Sequence, residues 1–204
     1  MSPRTVWRSA LVAALMVVAG CAPPWAVDPE RDAHYEEHLE RWRALEHWSV
    51  SGRASVQGGG ESVSLSLRWD ERPDGYRLEL SGPFGTGTVR LDGSPDGVVI
   101  DDGRGPPQHA ETPEQLVEAY TGHELPVSAL RDWLVGRPAA DLPLDDRRLD
   151  RHGRPASYHQ DGWTVEYRGW TEAEDGLLLP SRVDVRRTHQ QLRVALSGWM
   201  LHEE

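Results

Sequence analysis

The sequence predicts a mainly β fold: one curved antiparallel sheet of about eleven strands, with a few helices against its concave face. Three observations predict it. Runs of alternating apolar and polar residues recur along most of the chain. Short turns rich in Gly, Pro and Asp separate them, so successive strands join as hairpins and run antiparallel. Helical spacing interrupts the alternation only before the first strand and again in the middle of the chain.

Taken in order, Asp28-Pro29 reads as an N-cap with proline at the first helical position. Tyr35, Leu39 and Trp42 follow at helical spacing, so roughly 29–46 is an amphipathic helix. Period two then takes over. Val63, Leu65, Leu67 and Trp69 alternate with Ser62, Ser64, Ser66 and Arg68, a half-buried strand with two distinct faces. Tyr76, Leu78 and Leu80 repeat the pattern, as do Val89 with Leu91, Trp163 with Val165 and Tyr167, Val183 with Val185, and Leu192 with Val194 and Leu196. Turns fall at Gly58-Gly59-Gly60, Pro73-Asp74-Gly75, Pro95-Asp96-Gly97, Asp161-Gly162 and Asp175-Gly176. In the middle, Thr112-Pro113-Glu114-Gln115 is a capping box that opens a short helix to about Tyr120. Val127, Leu130, Trp133 and Leu134 mark a second helix, closed by Gly136 and Pro138. Leu196 and Trp199 have opposite parity, which predicts a β-bulge at Ser197-Gly198. The central helices and irregular loops fit a transmembrane barrel poorly.

The chain has 204 residues, 22 of them basic and 33 acidic, for a net charge of −11. That length suits one domain with an ample core. The acid excess argues against nucleic acid, which needs a basic face, and against electrostatic docking on anionic lipid. Every basic residue is arginine. Without lysine there is no P-loop, no Schiff base and no kinase strand lysine. One cysteine leaves no internal disulfide and no Cys-pair zinc motif.

That cysteine lies at the end of a secretory signal. Arg4 and Arg8 precede an apolar run from Ala10 to Ala19, then Gly20 and Cys21. The run is too short to span a ~30 Å hydrocarbon core. Val18-Ala19-Gly20-Cys21 resembles the bacterial lipobox, in which the cysteine becomes the first mature residue and is lipidated. Each buried methylene contributes ~0.8 kcal/mol, so two or three acyl chains anchor a protein almost irreversibly. Ala22 stands where lipoproteins kept at the inner membrane usually carry Asp, which points to the outer membrane. Residues 1–20 are thus expected to be a lipoprotein signal peptide and 21–28 the lipidated cysteine and tether, with 29–204 a single domain. Residues 21–204 carry a net charge of −13.

The chemical constellations give enzyme catalysis no support. His34-Tyr35-Glu36-Glu37-His38 matches the inverted zincin pattern, with both histidines on one helix face. The motif lies thirteen residues from the lipidation site on a lone helix, however, and a solvated helix face is the expected reading. No G-x-S-x-G elbow occurs, and no carboxylate pair lies in an apolar setting that would separate its pKa values. Neither a metal nor a cofactor is expected beyond the covalent lipid on Cys21.

Phe84, the one phenylalanine in the chain, sits at the tip of Ser81-Gly82-Pro83-Phe84-Gly85-Thr86-Gly87, between two predicted strands. Glycines and a proline around it leave few neighbours to bury the ring, so an exposed apolar finger is expected, a mark of membrane or partner contact; the alternative is a ring folded back on its own hairpin.

These features together resemble the LolB family of outer-membrane lipoprotein receptors. The resemblance rests on the lipobox, a first helix containing Trp42-Arg43, Gly52-Arg53, Tyr76-Arg77-Leu78 and the Gly-Pro-Phe-Gly-Thr loop. It continues through Tyr120-Thr121-Gly122, Leu125-Pro126, Leu130-Arg131-Asp132-Trp133-Leu134, Gly136 and Pro138. It implies an unclosed β-barrel plugged by helices, similar to LolA and LolB, with an apolar interior for acyl chains. It implies a monomeric protein anchored in the outer membrane of a Gram-negative bacterium and facing the periplasm. Such a receptor accepts triacylated lipoproteins from the periplasmic carrier LolA and inserts them into the inner leaflet without an energy source. The family's loop usually carries leucine; here Phe84 stands there, with Gly82, Pro83 and Gly85 around it. Trp69, Trp133, Trp163, Trp199, Leu65, Leu67 and Leu130 are the candidate cavity residues, with plain core packing the equal alternative for each tryptophan. The alternative is a structural or envelope-assembly outer-membrane lipoprotein with a filled core and no transfer activity.

Overall fold

The structure, a computed structural model, describes residues 28–82, 87–121 and 124–202. Cys21 and the rest of the predicted signal and tether up to residue 27 lie outside the described residues, as do Pro83, Phe84 and Gly85.

Helix α1 (Pro29–Arg43) begins where Asp28 accepts the backbone N–H of Glu30 at 3.1 Å. It buries Tyr35, Leu39 and Trp42 on one face, as the spacing predicts. Two meanders follow. The first is β1 (Trp48–Gly58), β2 (Glu61–Arg72), β3 (Gly75–Ser81), β4 (Thr88–Ser94), β5 (Gly97–Asp101) and β6 (Gln108–Ala110). Helices α2 (Pro113–Thr121) and α3 (Val127–Trp133) then cross to the second: β7 (Asp145–Leu149), β8 (Pro155–Gln160), β9 (Trp163–Glu172), β10 (Leu178–Arg187) and β11 (Gln190–Leu201).

All eleven strands form one sheet in the order β6-β5-β4-β3-β2-β1-β11-β10-β9-β8-β7, every pair antiparallel. The chain's first and last strands pair in the middle, and β6 and β7 end the sheet without pairing to each other, so the barrel is unclosed. Both edges are blunted. β6 is three residues long, and β7 reads Asp145-Asp146-Arg147-Arg148-Leu149, charge that resists pairing with another chain.

The predicted bulge is present. Between Ser49 and Ser51 of β1, the partner on β11 jumps from Met200 to Ser197. Gly198 supplies the left-handed residue that this extra step requires, with φ of 62°. Gly153 is equally constrained, between β7 and β8: its φ is 74°, and a Cβ there would meet the His34 Cβ at 2.5 Å. The close approach brings that turn against α1.

Aromatic side chains pack in two groups on the concave side. Trp48, Trp69, Tyr76 and Trp199 meet around β1–β3 and β11, while Trp42, Trp170, Tyr167 and Tyr158 meet beneath α1. Among the described residues no helix is long and apolar enough to cross a membrane.

Candidate functional site

Between the concave face of β1–β5 and helices α2 and α3 lies a cavity of about 530 Å³. Period-two alternation builds its wall, since each strand turns every second side chain inward. Along β2 the exposure rises steadily, from Trp69 at 0% through Leu67 at 8% to Val63 at 46%. Trp69 therefore floors the cavity and Val63 stands at its mouth, six residues or about 20 Å apart along the strand. Leu78 and Leu80 of β3, Leu91 of β4, Ile100 of β5 and Val194 of β11 continue the apolar wall. Charged groups are confined to the rim, where Glu61, Asp102 and Arg104 stand.

The helix side of the cavity is held by polar ties. In α3, Leu130 and Leu134, the residue after the helix, line the cavity while Arg131 reaches Glu71 on β2. The Arg131 Nε donates to both Glu71 carboxylate oxygens, at 3.0 and 3.2 Å, and an Nη donates as well. Glu71 also accepts the Trp69 indole N–H at 3.0 Å. Burial opposes the charge on Arg131, but Glu71 outweighs it and the guanidinium pKa is raised. At the other end Trp133 donates its indole N–H to Gln160 at 2.8 Å. The Gln160 amide is fully used: its oxygen also accepts from the Ala139 N–H, and its nitrogen donates to the carbonyls of Ala139 and Leu142. The hydroxyls of Tyr158 and Tyr167 meet at 2.7 Å, and Tyr167 donates to the Trp133 carbonyl. Burial raises the pKa of both phenols, so neither ionises in the physiological range.

A Glu114 carboxylate on α2 accepts the Ser128 N–H at 2.7 Å and its hydroxyl at 3.1 Å. It caps α3, whose own N-cap, Pro126, provides no side-chain bond. The helix pair is therefore suspended between β2, β8 and β9 by satisfied polar groups. It cannot sink into the apolar space without leaving those groups unpaired.

Trp69, Leu65, Leu67 and Leu130 line the cavity, and Gly82 lies at its rim. Trp133, Trp163 and Trp199 do not line it. Trp133 and Trp163 face a second groove beyond α3, where the Gln160 bond turns the Trp133 ring away. Trp199 follows the bulge, packs on Trp48 at 5.4 Å and donates to the Pro180 carbonyl. Phe84, Pro83 and Gly85 lie outside the described residues, but both roots of their loop, Gly82 and Gly87, are cavity-lining and joined by a 3.2 Å backbone hydrogen bond. Sequence reasoning missed the Glu71–Arg131 tie and the contributions of β3–β5 and β11. The inward positions of those strands are legible as apolar, but not as lining unfilled space. His38 stacks on Trp42 at 5.4 Å, and among the described residues no group of three or more His, Cys, Asp or Glu side chains gathers around a metal site.

Comparison with known proteins comes to the same place. A family model described as outer membrane lipoprotein LolB matches residues 46–199. A protein named outer-membrane lipoprotein LolB from Halorhodospira halophila is 53% identical over 196 residues, covering 95% of this chain and 96% of that protein. One of the same name from Alkalilimnicola ehrlichii is 41% identical, covering 92% and 94%. Among solved structures, a LolA superfamily protein from Nitrosomonas europaea superposes with a TM-score of 0.50 at 10% identity, covering 83% of this chain and 94% of that one. A DUF1329 family protein from Desulfovibrio piger gives 0.54 at 8% identity, covering 86% and 94%. These two likenesses are likenesses of fold alone.

Proposed function

The chain belongs to the LolB family of outer-membrane lipoproteins, and from that premise we propose that it receives triacylated lipoproteins from the periplasmic carrier LolA and inserts them into the inner leaflet of the outer membrane. The observation that carries this reading is the cavity of about 530 Å³, apolar along its walls and charged only at its rim. Acyl chains cannot cross an aqueous compartment uncovered, because each methylene held in water costs ~0.8 kcal/mol. A wall of Leu, Val, Ile and Trp side chains removes that cost.

Transfer then runs downhill without nucleotide. The receptor must hold acyl chains more tightly than the carrier and less tightly than a bilayer. A preformed cavity whose lining lacks contacts on one side suits that middle rank, because incomplete packing forfeits part of the dispersion gain. Gly82 and Gly87, which flank the Pro83–Thr86 segment in sequence, lie at the cavity rim. From there, Phe84 at the segment's tip is suited to enter the leaflet and guide the acyl chains out.

The test uses residues 22–204, without an anchor, mixed with a LolA carrier loaded with a triacylated lipoprotein. Movement of the cargo to this protein without nucleotide is the expected result. Retention on the carrier overturns the receptor reading in favour of a structural lipoprotein.

A further inference from the structure

The convex face, on the other side of the sheet from the cavity, carries a shallow depression of about 640 Å³ over β11, β1, β2 and β3. Its lining includes Arg53, Arg68, Glu79, Ser51, Ser66, Ser81 and Ser197. The register explains the grouping. Arg53 stands opposite Ser66 on β2 and Ala195 on β11, and Ser51 stands opposite Arg68 and Ser197. Arg53 and Arg68 are thus diagonal neighbours on one face, roughly 7–8 Å apart at their roots. Arg182 on β10 lies opposite Ala195 in the same row as Arg53, two strands or roughly 10 Å away.

These three arginines are exposed, and among the described residues none has an ion-pair partner. Arg193 on the same face bonds, among the described residues, only Gln191, whereas other arginines there are paired. Arg77 pairs with Asp92, Arg90 with Glu79, and Arg168 and Arg186 with Glu166. Glu79, the carboxylate opposite Arg68, is taken by Arg90. In a chain with 33 acidic residues against 22 arginines, three neighbouring guanidinium groups beside one carboxylate, Glu79, already neutralised by Arg90, leave a local positive field inside a negative protein. Ala195 and the serines between the arginines are small, so the depression stays open; Ser81 bonds Thr88 and Ser197 bonds the Ser51 carbonyl, which leaves Ser51 and Ser66 to present hydroxyl donors. Guanidinium forks with serine hydroxyls are the donor set that matches tetrahedral phosphate oxygens.

We propose that this depression binds a phosphate-bearing anion, of the kind a phospholipid headgroup presents, through Arg53, Arg68 and Arg182. The chain's net charge argues against docking on anionic lipid, but local geometry decides contact within a Debye length of about 8–10 Å. The site is independent of the acyl cavity and stands or falls separately from the receptor reading.

The test measures co-flotation of residues 22–204 with phosphatidylcholine vesicles, with and without phosphatidylglycerol, and repeats it in added inorganic phosphate. Phosphatidylglycerol is expected to strengthen binding, and Arg53→Gln with Arg68→Gln to weaken it about five-fold per arginine, at unchanged thermal stability. Arg77→Gln with Arg186→Gln removes the same formal charge from paired positions of the same face and is expected to leave binding nearly unchanged. Competition by inorganic phosphate identifies the free anion as a ligand of the site; its absence identifies the headgroup. An equal loss in the two double variants, or no response to either phosphatidylglycerol or phosphate, overturns the proposal.

Discussion

Arg131 on α3 grips the Glu71 carboxylate on β2 with its Nε 3.0 and 3.2 Å from the two oxygens, tying the helix over the floor of the cavity. Glu71 is 7% exposed, so the pair is shielded on the carboxylate side and open on the guanidinium side. Arg131→Leu leaves that carboxylate buried with only the Trp69 indole as a side-chain partner. Equilibrium urea unfolding is expected to show a loss of about 1–3 kcal/mol, the range for a charge-assisted bond lost from a partly buried site. Glu71→Gln, which keeps an acceptor and the volume, is expected to lose less. If Arg131→Leu unfolds at the parent's midpoint, the tie is not what holds the helix.

Filling the cavity separates ligand room from stability. Leu65 is half-buried and lines the space, which has volume to accept a larger ring. In a close-packed core such an insertion costs about 1–3 kcal/mol; here Leu65→Trp is expected to change stability by less than about 1 kcal/mol. It is also expected to weaken binding of a fluorescent fatty acid. Strong destabilisation would mean that the space is not available to a side chain.

The loop makes a different prediction. Its roots, Gly82 and Gly87, lie at the rim, so a change at Phe84 bears on what leaves the cavity rather than on the core. Phe84→Glu is expected to keep the thermal midpoint and the uptake of cargo from the carrier, and to lose delivery from the protein to liposomes. Normal delivery by this variant would remove the apolar finger from the mechanism.

His38 gives stability a pH dependence. Burial against Trp42 is the largest influence on it and lowers its pKa below the ordinary 6.5, although the His152 backbone and Glu37 act in the opposite sense. The unfolded chain therefore takes up this proton at higher pH than the folded one. The contribution is complete above pH 6.5 and is lost as pH falls through the lowered folded value. Thermal unfolding followed across that window should show a declining midpoint, and His38→Phe, which keeps the stack without a titrating group, should flatten that part of the profile. An unchanged slope in the variant assigns the effect to other groups.

Much of this architecture is legible in the chain because it depends on near neighbours. Alternation along β2 and β3, the turn residues between strands, the proline at the start of α1 and the parity slip at Gly198 all act within a few residues, and each appears where local rules put it. The same alternation cannot distinguish a packed position from a cavity-lining one. Val194 and Val183 read alike as inward valines, yet Val194 lines the cavity while Val183, also fully buried, does not.

By itself, then, the sequence determined the sheet, the helices that interrupt it, the bulge and which face of each strand turns inward. Only the tertiary structure decided where along those faces the interior stays open. It set the plug's height through Glu71–Arg131 and Gln160–Trp133, turned Trp133, Trp163 and Trp199 out of the cavity, and brought Arg53, Arg68 and Arg182 together on the convex face. Periodicity is a property of one strand, whereas a cavity or a charge cluster depends on residues far apart in sequence being brought into register.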